Sequence, residues 1–203
     1  MTGTDAQNKI EDSNIKVAIF ASGAGSNAEK IINYFSGYEK VKITLLVCNK
    51  PDAGVIKIAE AATIPVLLIE KEQFFRGDAY VEILKEFGIN LIVLAGFLWK
   101  VPKQLIAAFP DKIINIHPAL LPNYGGKGMY GHFVHEAVIA NEEKESGITI
   151  HFVNENFDEG KHIFQASCPV LPTDTPETLA ARIHQLEHAH FAPIIETVIK
   201  NLE

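Results

Sequence analysis

Asn115 and His117 stand two residues apart in the run Asn115-Ile116-His117-Pro118-Ala119-Leu120-Leu121-Pro122, so in an extended chain their side chains share a face. An imidazole titrates near neutrality and can serve as acid, base or cationic stabiliser, and the amide beside it adds a neutral donor. Pro118 and Pro122 stiffen the loop that follows, and the Leu121-Pro122 bond is open to either isomer. A core histidine beside a rigid turn would carry the same spelling. The carboxylate suited to this pair is Asp158, in the acidic turn Asn154-Glu155-Asn156-Phe157-Asp158-Glu159-Gly160. A carboxylate opposed to a histidine favours its charged form. A solvated hairpin loop uses the same turn formers, so the turn alone decides nothing. His151, seven residues before Asp158, is placed to face the same cleft.

A second chemistry is anion binding. Ser22-Gly23-Ala24-Gly25-Ser26-Asn27 joins an apolar run to a helical stretch, and Gly23, Gly25 and Ala28 fit the G-x-G-x-x-A dinucleotide spacing. Glycines let backbone approach an anion, and a helix start offers unpaired N–H groups. Ser26 and Asn27 add side-chain donors. The dinucleotide reading also needs a carboxylate ending the second strand, but the chain there runs Cys48-Asn49-Lys50, with none before Asp52. A single terminal phosphate is the better expectation, with a plain tight turn as the alternative. His184-Gln185-Leu186-Glu187-His188 spells H-x-x-E-H, an inverted zinc-protease pattern, but no third ligand accompanies it. A polar helix face turned to a substrate is expected there, and no metal. Glu142, Glu143 and Lys144 read as a solvated helix end.

The elements that must position these groups alternate. Apolar runs at 15–21, 41–48, 64–69, 91–95 and 112–116 read as strands, with Pro65 marking an edge and 91–95 apolar on both faces, as a central parallel strand should be. Helical spacing covers 27–34, with Ile31, Ile32 and Phe35 on one face, and then 53–62, 79–87 before Gly88, and 102–109. Strands at 146–153 and 162–169 read as an antiparallel pair, and Thr175-Pro176 opens a long closing helix. The expectation is α/β: a doubly wound, mostly parallel sheet with helices on both faces and an antiparallel C-terminal strand pair. Residues 1–14 read as a loose polar tail and 15–203 as one domain.

At 203 residues and 47% hydrophobic, the chain can bury a core without staples. A net charge of −7 argues against a nucleic-acid partner. The apolar run 91–99 is too short to cross a bilayer, and no secretory signal is visible, so no membrane partner is expected. Cys48 and Cys168 cannot form a disulfide framework and suit a reducing cytoplasm.

Taken together, the loop S-G-A-G-S-N, L-A-G-F-L at 94–98, N-I-H-P-A-L-L-P and H-F-V-x-x-x-x-D-x-G at 151–160, followed by Glu187-His188, resemble the phosphoribosylglycinamide formyltransferase family over nearly the whole chain from Ile15 to Leu202. The resemblance implies a formyltransferase fold, glycinamide ribonucleotide as substrate and 10-formyltetrahydrofolate as co-substrate, with no metal; a homodimer stays open. It assigns Asn115, His117 and Asp158 to catalysis. Gly23, Gly25, Ser26 and Asn27 would hold the substrate phosphate, and Glu187 the ribose. Leu98, Trp99, Glu155 and Phe157 would form the pterin wall. Many relatives carry arginine where Trp99 stands, and His184 replaces a basic group of the last helix. Segment 125–135 leaves open whether His132 or His135 approaches the ligand. Methionyl-tRNA formyltransferase adds an RNA-binding domain and formyltetrahydrofolate deformylase an N-terminal regulatory domain, so the hydrolase is the competing expectation. A dehydrogenase or a nucleotide-binding module would leave Asn115, His117 and Asp158 idle.

Overall fold

A computed structural model describes residues 14–202. The first strand, β1 (Ile15–Ala21), alternates its burial between two faces: Val17, Ile19 and Ala21 enter one core and Ala18 and Phe20 the other. That double burial is the physical reason for its unbroken apolar spelling. Around it lie β2 (Val41–Cys48), β3 (Val66–Leu68), β4 (Leu91–Leu94), β5 (Ile113–His117), β6 (Glu145–Phe152) and β7 (His162–Pro169). They form a seven-stranded sheet in the order β3-β2-β1-β4-β5-β6-β7. Pairing is parallel from β3 through β5, then antiparallel at β5–β6 and β6–β7. The expected class is therefore what the chain adopts, with β4 central and β3 at the edge.

One face carries α1 (Ser26–Phe35), α2 (Gly54–Ala61), α6 (His132–Ala140) and α7 (Pro176–Lys200). The other carries α3 (Lys71–Arg76), α4 (Ala79–Glu86) and α5 (Lys103–Ala108). Thr175 and Thr178 close a reciprocal cap at the start of α7, with Pro176 in the first turn, as their spelling predicts. One helix was not expected from sequence, and of a second only the polar end near 142–144 was. The six-residue α3 holds a single buried anchor, Phe74, and α6 begins after the glycine-rich stretch 125–131 with mostly apolar residues and little amphipathic contrast. Most expected boundaries move by a residue or two; those that bear on the site are β3, which starts after Pro65, whose carbonyl accepts from the Leu46 N–H, β5, which ends on His117 rather than before it, and β4, which stops at Leu94. The tail expected at 1–14 lies, apart from Asn14, outside the described residues. Among the described residues no helix is long and apolar enough to cross a membrane.

The strand order sets the site. β1 and β4 are neighbours although they are far apart in sequence, so the loops after them meet: Ser22 N–H donates to the Gly96 carbonyl at 3.1 Å, and the Leu98 N–H donates to Ser22 Oγ at 3.0 Å. Ligands of open α/β sheets bind in the crevice at these carboxyl ends.

Candidate active site

β5 and β6 place Asn115 directly opposite His151. His151 Nδ1–H donates to the Phe152 carbonyl at 2.8 Å, which leaves Nε2 to accept from Asn115 Nδ2 at 3.2 Å. His117, at the end of β5, donates its Nε2–H to the Tyr124 carbonyl at 2.7 Å, so its Nδ1 faces Asp158 Oδ2 at 3.7 Å. Asp158 Oδ1 lies 3.6 Å from His151 Nε2, and the Gly126 N–H donates to Oδ2 at 2.9 Å. One carboxylate thus sits between two imidazoles. Asp158 and Tyr124 both hold left-handed backbone, with φ of 57° each, a conformation that costs a non-glycine residue energy and is kept where the surroundings fix it. The loop after His117 is braced from below: the buried Thr149 hydroxyl donates to the Ala119 carbonyl at 2.7 Å and accepts from the Leu121 N–H at 3.0 Å. The Leu121–Pro122 bond within it is cis.

Electrostatics correct one expectation. Burial lowers the His117 pKa below its ordinary value, and the opposing pull of Asp158 and the Tyr124 carbonyl offsets that only in part. Its side chain is 4% exposed, so desolvation of the imidazolium outweighs a carboxylate not in hydrogen-bond contact. Asp158 does not by itself keep His117 charged in the ligand-free protein. Burial would raise Asp158, but His151, His117 and the Gly126 N–H together hold it below the usual carboxylate range, so it is ionised.

The glycine loop opens α1. Gly25 has φ +88°, and a Cβ there would lie 2.6 Å from Val55 Cβ, so only glycine fits. The first helical bond runs from the Glu29 N–H to the Gly25 carbonyl, and no side chain caps the end, which leaves the first-turn N–H groups directed outward for an anion. Asn27 Nδ2 donates one of its two hydrogens to Glu187 Oε2 on α7 at 2.9 Å, which ties the amide to the last helix beside the exposed Ser26 hydroxyl. Burial raises the Glu187 pKa, with Asn27 and His184 offsetting part of the rise.

A cavity of about 480 Å³ joins these parts. Gly23, Gly25, Ser26, Asn27 and Glu187, Asn115, His117 and Asp158, and Leu98, Trp99 and Phe157 all line it. Trp99 packs against Phe74 and Phe75, and Lys100 lies 4.8 Å above the Phe157 ring. Glu155 is the exception among the expected residues: it is not in the lining but pairs with Lys103 at 2.7 Å on the outer side of the turn. Its neighbours Asn154, Asn156, Phe157 and Asp158 all line the cavity, and the ion pair with Lys103 is what holds Glu155 away from it. The rings of His184 and His188 lie 6.3 Å apart and nearly parallel, and no third ligand joins them among the described residues. His132 and His135, between which the sequence left the approach to the ligand open, both line the cavity, His135 buried and His132 exposed.

The buried imidazoles carry a stability prediction. Burial lowers His117, His135 and His188, and His135 falls from 6.5 to about 4. A histidine with a depressed folded pKa stabilises the protein fully above pH 6.5 and loses that contribution as pH falls toward the folded value. Glu187, raised by burial, works in the opposite direction, losing stability as pH rises through its folded pKa. The imidazoles outnumber it, so the melting temperature should be lower at pH 5 than at pH 7, on the order of 5 °C. In His135→Gln that difference should shrink; an equal difference in the variant would show that His135 is not the group responsible.

The formyl transferase family profile matches residues 15–195. The chain is 42% identical over 189 residues to a chloroplastic phosphoribosylglycinamide formyltransferase of Arabidopsis thaliana, covering 90% of this chain and 65% of that protein. It is 38% identical over 189 residues to the phosphoribosylglycinamide formyltransferase of Bacillus subtilis, covering 91% of this chain and 94% of the relative. The chain thus spans less than two thirds of the plant protein and nearly all of the bacterial one. The crystal structure of phosphoribosylglycinamide formyltransferase from Anaplasma phagocytophilum superposes with a TM-score of 0.84 at 31% identity, over 93% of this chain and 88% of that one.

Proposed function

The chain belongs to the formyl transferase family, and from that premise we propose that it moves a formyl group from 10-formyltetrahydrofolate to the primary amine of glycinamide ribonucleotide, a step of purine synthesis. One observation carries the reading: a single cavity is lined together by the glycine loop at an uncapped helix N-terminus, by Asn115, His117 and Asp158, and by the apolar side chains of Leu98, Trp99 and Phe157. Those surfaces suit a phosphate, a ribose, a reacting amine and a flat apolar co-substrate.

The neutral amine attacks the formyl carbon, so a C–N bond forms and charge gathers on the formyl oxygen. The Asn115 amide and the fraction of His117 that is protonated, which burial keeps small in the ligand-free protein, stabilise that oxygen, each donor contributing about 3 kcal/mol. His117 Nε2–H is already held by the Tyr124 carbonyl, so the proton that matters is the one on Nδ1, beside Asp158. Collapse breaks the bond to the folate nitrogen. Asp158 takes the amine's proton through water and returns it to that nitrogen, which balances the step and leaves the enzyme unchanged. His151 fixes the Asn115 amide.

The test is product analysis. Incubation with both substrates should yield formylated ribonucleotide by mass spectrometry, and formate with unchanged ribonucleotide would assign a hydrolase instead. The phosphate site has its own test. Ser26→Ala with Asn27→Ala should raise the ribonucleotide KM by about 10- to 100-fold, the worth of one or two hydrogen bonds to a charged group, and leave the folate KM near wild type. Equal effects on both would mean that the phosphate lies elsewhere.

A further inference from the structure

The ring hydrogen of His117 is placed by one atom, the Tyr124 carbonyl, which accepts from Nε2 at 2.7 Å and leaves Nδ1 toward Asp158. That carbonyl belongs to a loop held at two places. Its near part is tied to β6 and β7: the Thr149 hydroxyl bonds the Ala119 carbonyl and the Leu121 N–H, and Gln165 Nε2 donates to the Leu121 carbonyl at 3.0 Å. None of these bonds reaches Tyr124. Its own phenol supplies the far anchor, donating to Glu143 Oε1 at 2.6 Å and accepting from Asn141 Nδ2 at 3.0 Å. Both partners lie in the turn just after α6, and the half-buried ring packs against the core. The Tyr124 backbone is left-handed, with φ of 57°, a state that a non-glycine residue keeps only where its surroundings hold it. Burial, and then the Glu143 carboxylate, push the phenol's pKa up, so the hydrogen it donates stays in place. Glu143, spelled as part of a solvated helix end, is instead half-buried and spent on this bond.

We propose that Tyr124, Asn141 and Glu143 are positioning residues: anchoring the phenol to the turn after α6 fixes the Tyr124 carbonyl, and the carbonyl keeps the His117 hydrogen on Nε2. The effect on rate rests on the function proposed above. The effect on the tautomer does not, so the two can fail separately. Nitrogen NMR of the imidazoles at pH 7.5 reads the tautomer, with the His117 signals identified by their absence in His117→Asn. Wild-type protein should show His117 with its hydrogen on Nε2 alone. In Tyr124→Phe and in Glu143→Ala the hydrogen should be shared between the two nitrogens. Each variant should lose about tenfold in kcat, the worth of one hydrogen bond to a charged group, with the ribonucleotide KM within about threefold. The double variant should be no worse than either single one, because both break the same bond. Glu143→Gln, whose amide oxygen still accepts, should recover most of the rate and the wild-type signals, and the Glu143 variants carry the test if Tyr124→Phe does not fold. His117 signals that stay unchanged in Tyr124→Phe and Glu143→Ala overturn the proposal, whatever happens to melting temperature or rate. Additive losses in the double variant overturn it as well. Wild-type protein that turns over no ribonucleotide overturns the proposed function, and the NMR comparison still decides this inference.

Discussion

His117→Asn should lower kcat by about three orders of magnitude while the ribonucleotide still binds with near wild-type affinity. The shorter side chain gives up the bond to the Tyr124 carbonyl, but Thr149 still holds Ala119 and Leu121, so the loop after β5 has no reason to collapse. What disappears is the titratable nitrogen opposite Asp158. A lost oxyanion donor costs about a hundred- to a thousandfold, and loss of the group that carries the proton adds to it. The phosphate end of the cavity, at Gly25 and Ser26, is built from other elements, so binding there is unaffected. Single-turnover rates alongside equilibrium binding of the ribonucleotide check this. A wild-type rate would remove His117 from the chemistry, and equal losses in rate and binding would make its role structural.

The second large effect belongs to Asp158→Asn. The substitution preserves shape, and the variant side-chain oxygen can still accept the Gly126 N–H. The charge is lost, and with it the attraction that partly offsets burial at His117. The sign follows directly: without Asp158 the His117 pKa falls further, so the protonated form persists only to a lower pH. The limb of the rate profile that drops as His117 deprotonates should therefore move to lower pH. Near pH 7.5 the loss in kcat should be about a hundredfold or more, and it should lessen at pH 5.5. A limb that stays in place would show that Asp158 does not govern the His117 proton.

These effects depend on parts of the molecule that differ in how plainly they are written in the chain. β1 and β4 are buried on both faces and their sequence is apolar without interruption, so strand class and central position were legible together. The cap of α7 was legible because Thr175 and Pro176 are local signals. α6 was not, since a glycine-rich approach and a weak polar–apolar contrast hide a helix whose place is set by contacts with α7 and the sheet. The same division holds at the site. Asn115 and His117 lie on one strand and declared their shared face. The engagement of Asn27 by Glu187 spans 160 residues, and the outward turn of Glu155 depends on Lys103, so neither could be read from local spelling. His135 is the strongest case: only the fold shows that its imidazole is buried in the cavity wall with a nitrogen unspent.

The most direct test of the central claim is the stoichiometry of coupling between the two substrates. The deformylated folate is followed by absorbance, with and without glycinamide ribonucleotide, while formylated ribonucleotide is counted in the same samples. A transferase should release one deformylated folate for each formylated ribonucleotide and almost none when the ribonucleotide is left out. Release of folate at the same rate without the ribonucleotide would contradict the account and make water the acceptor.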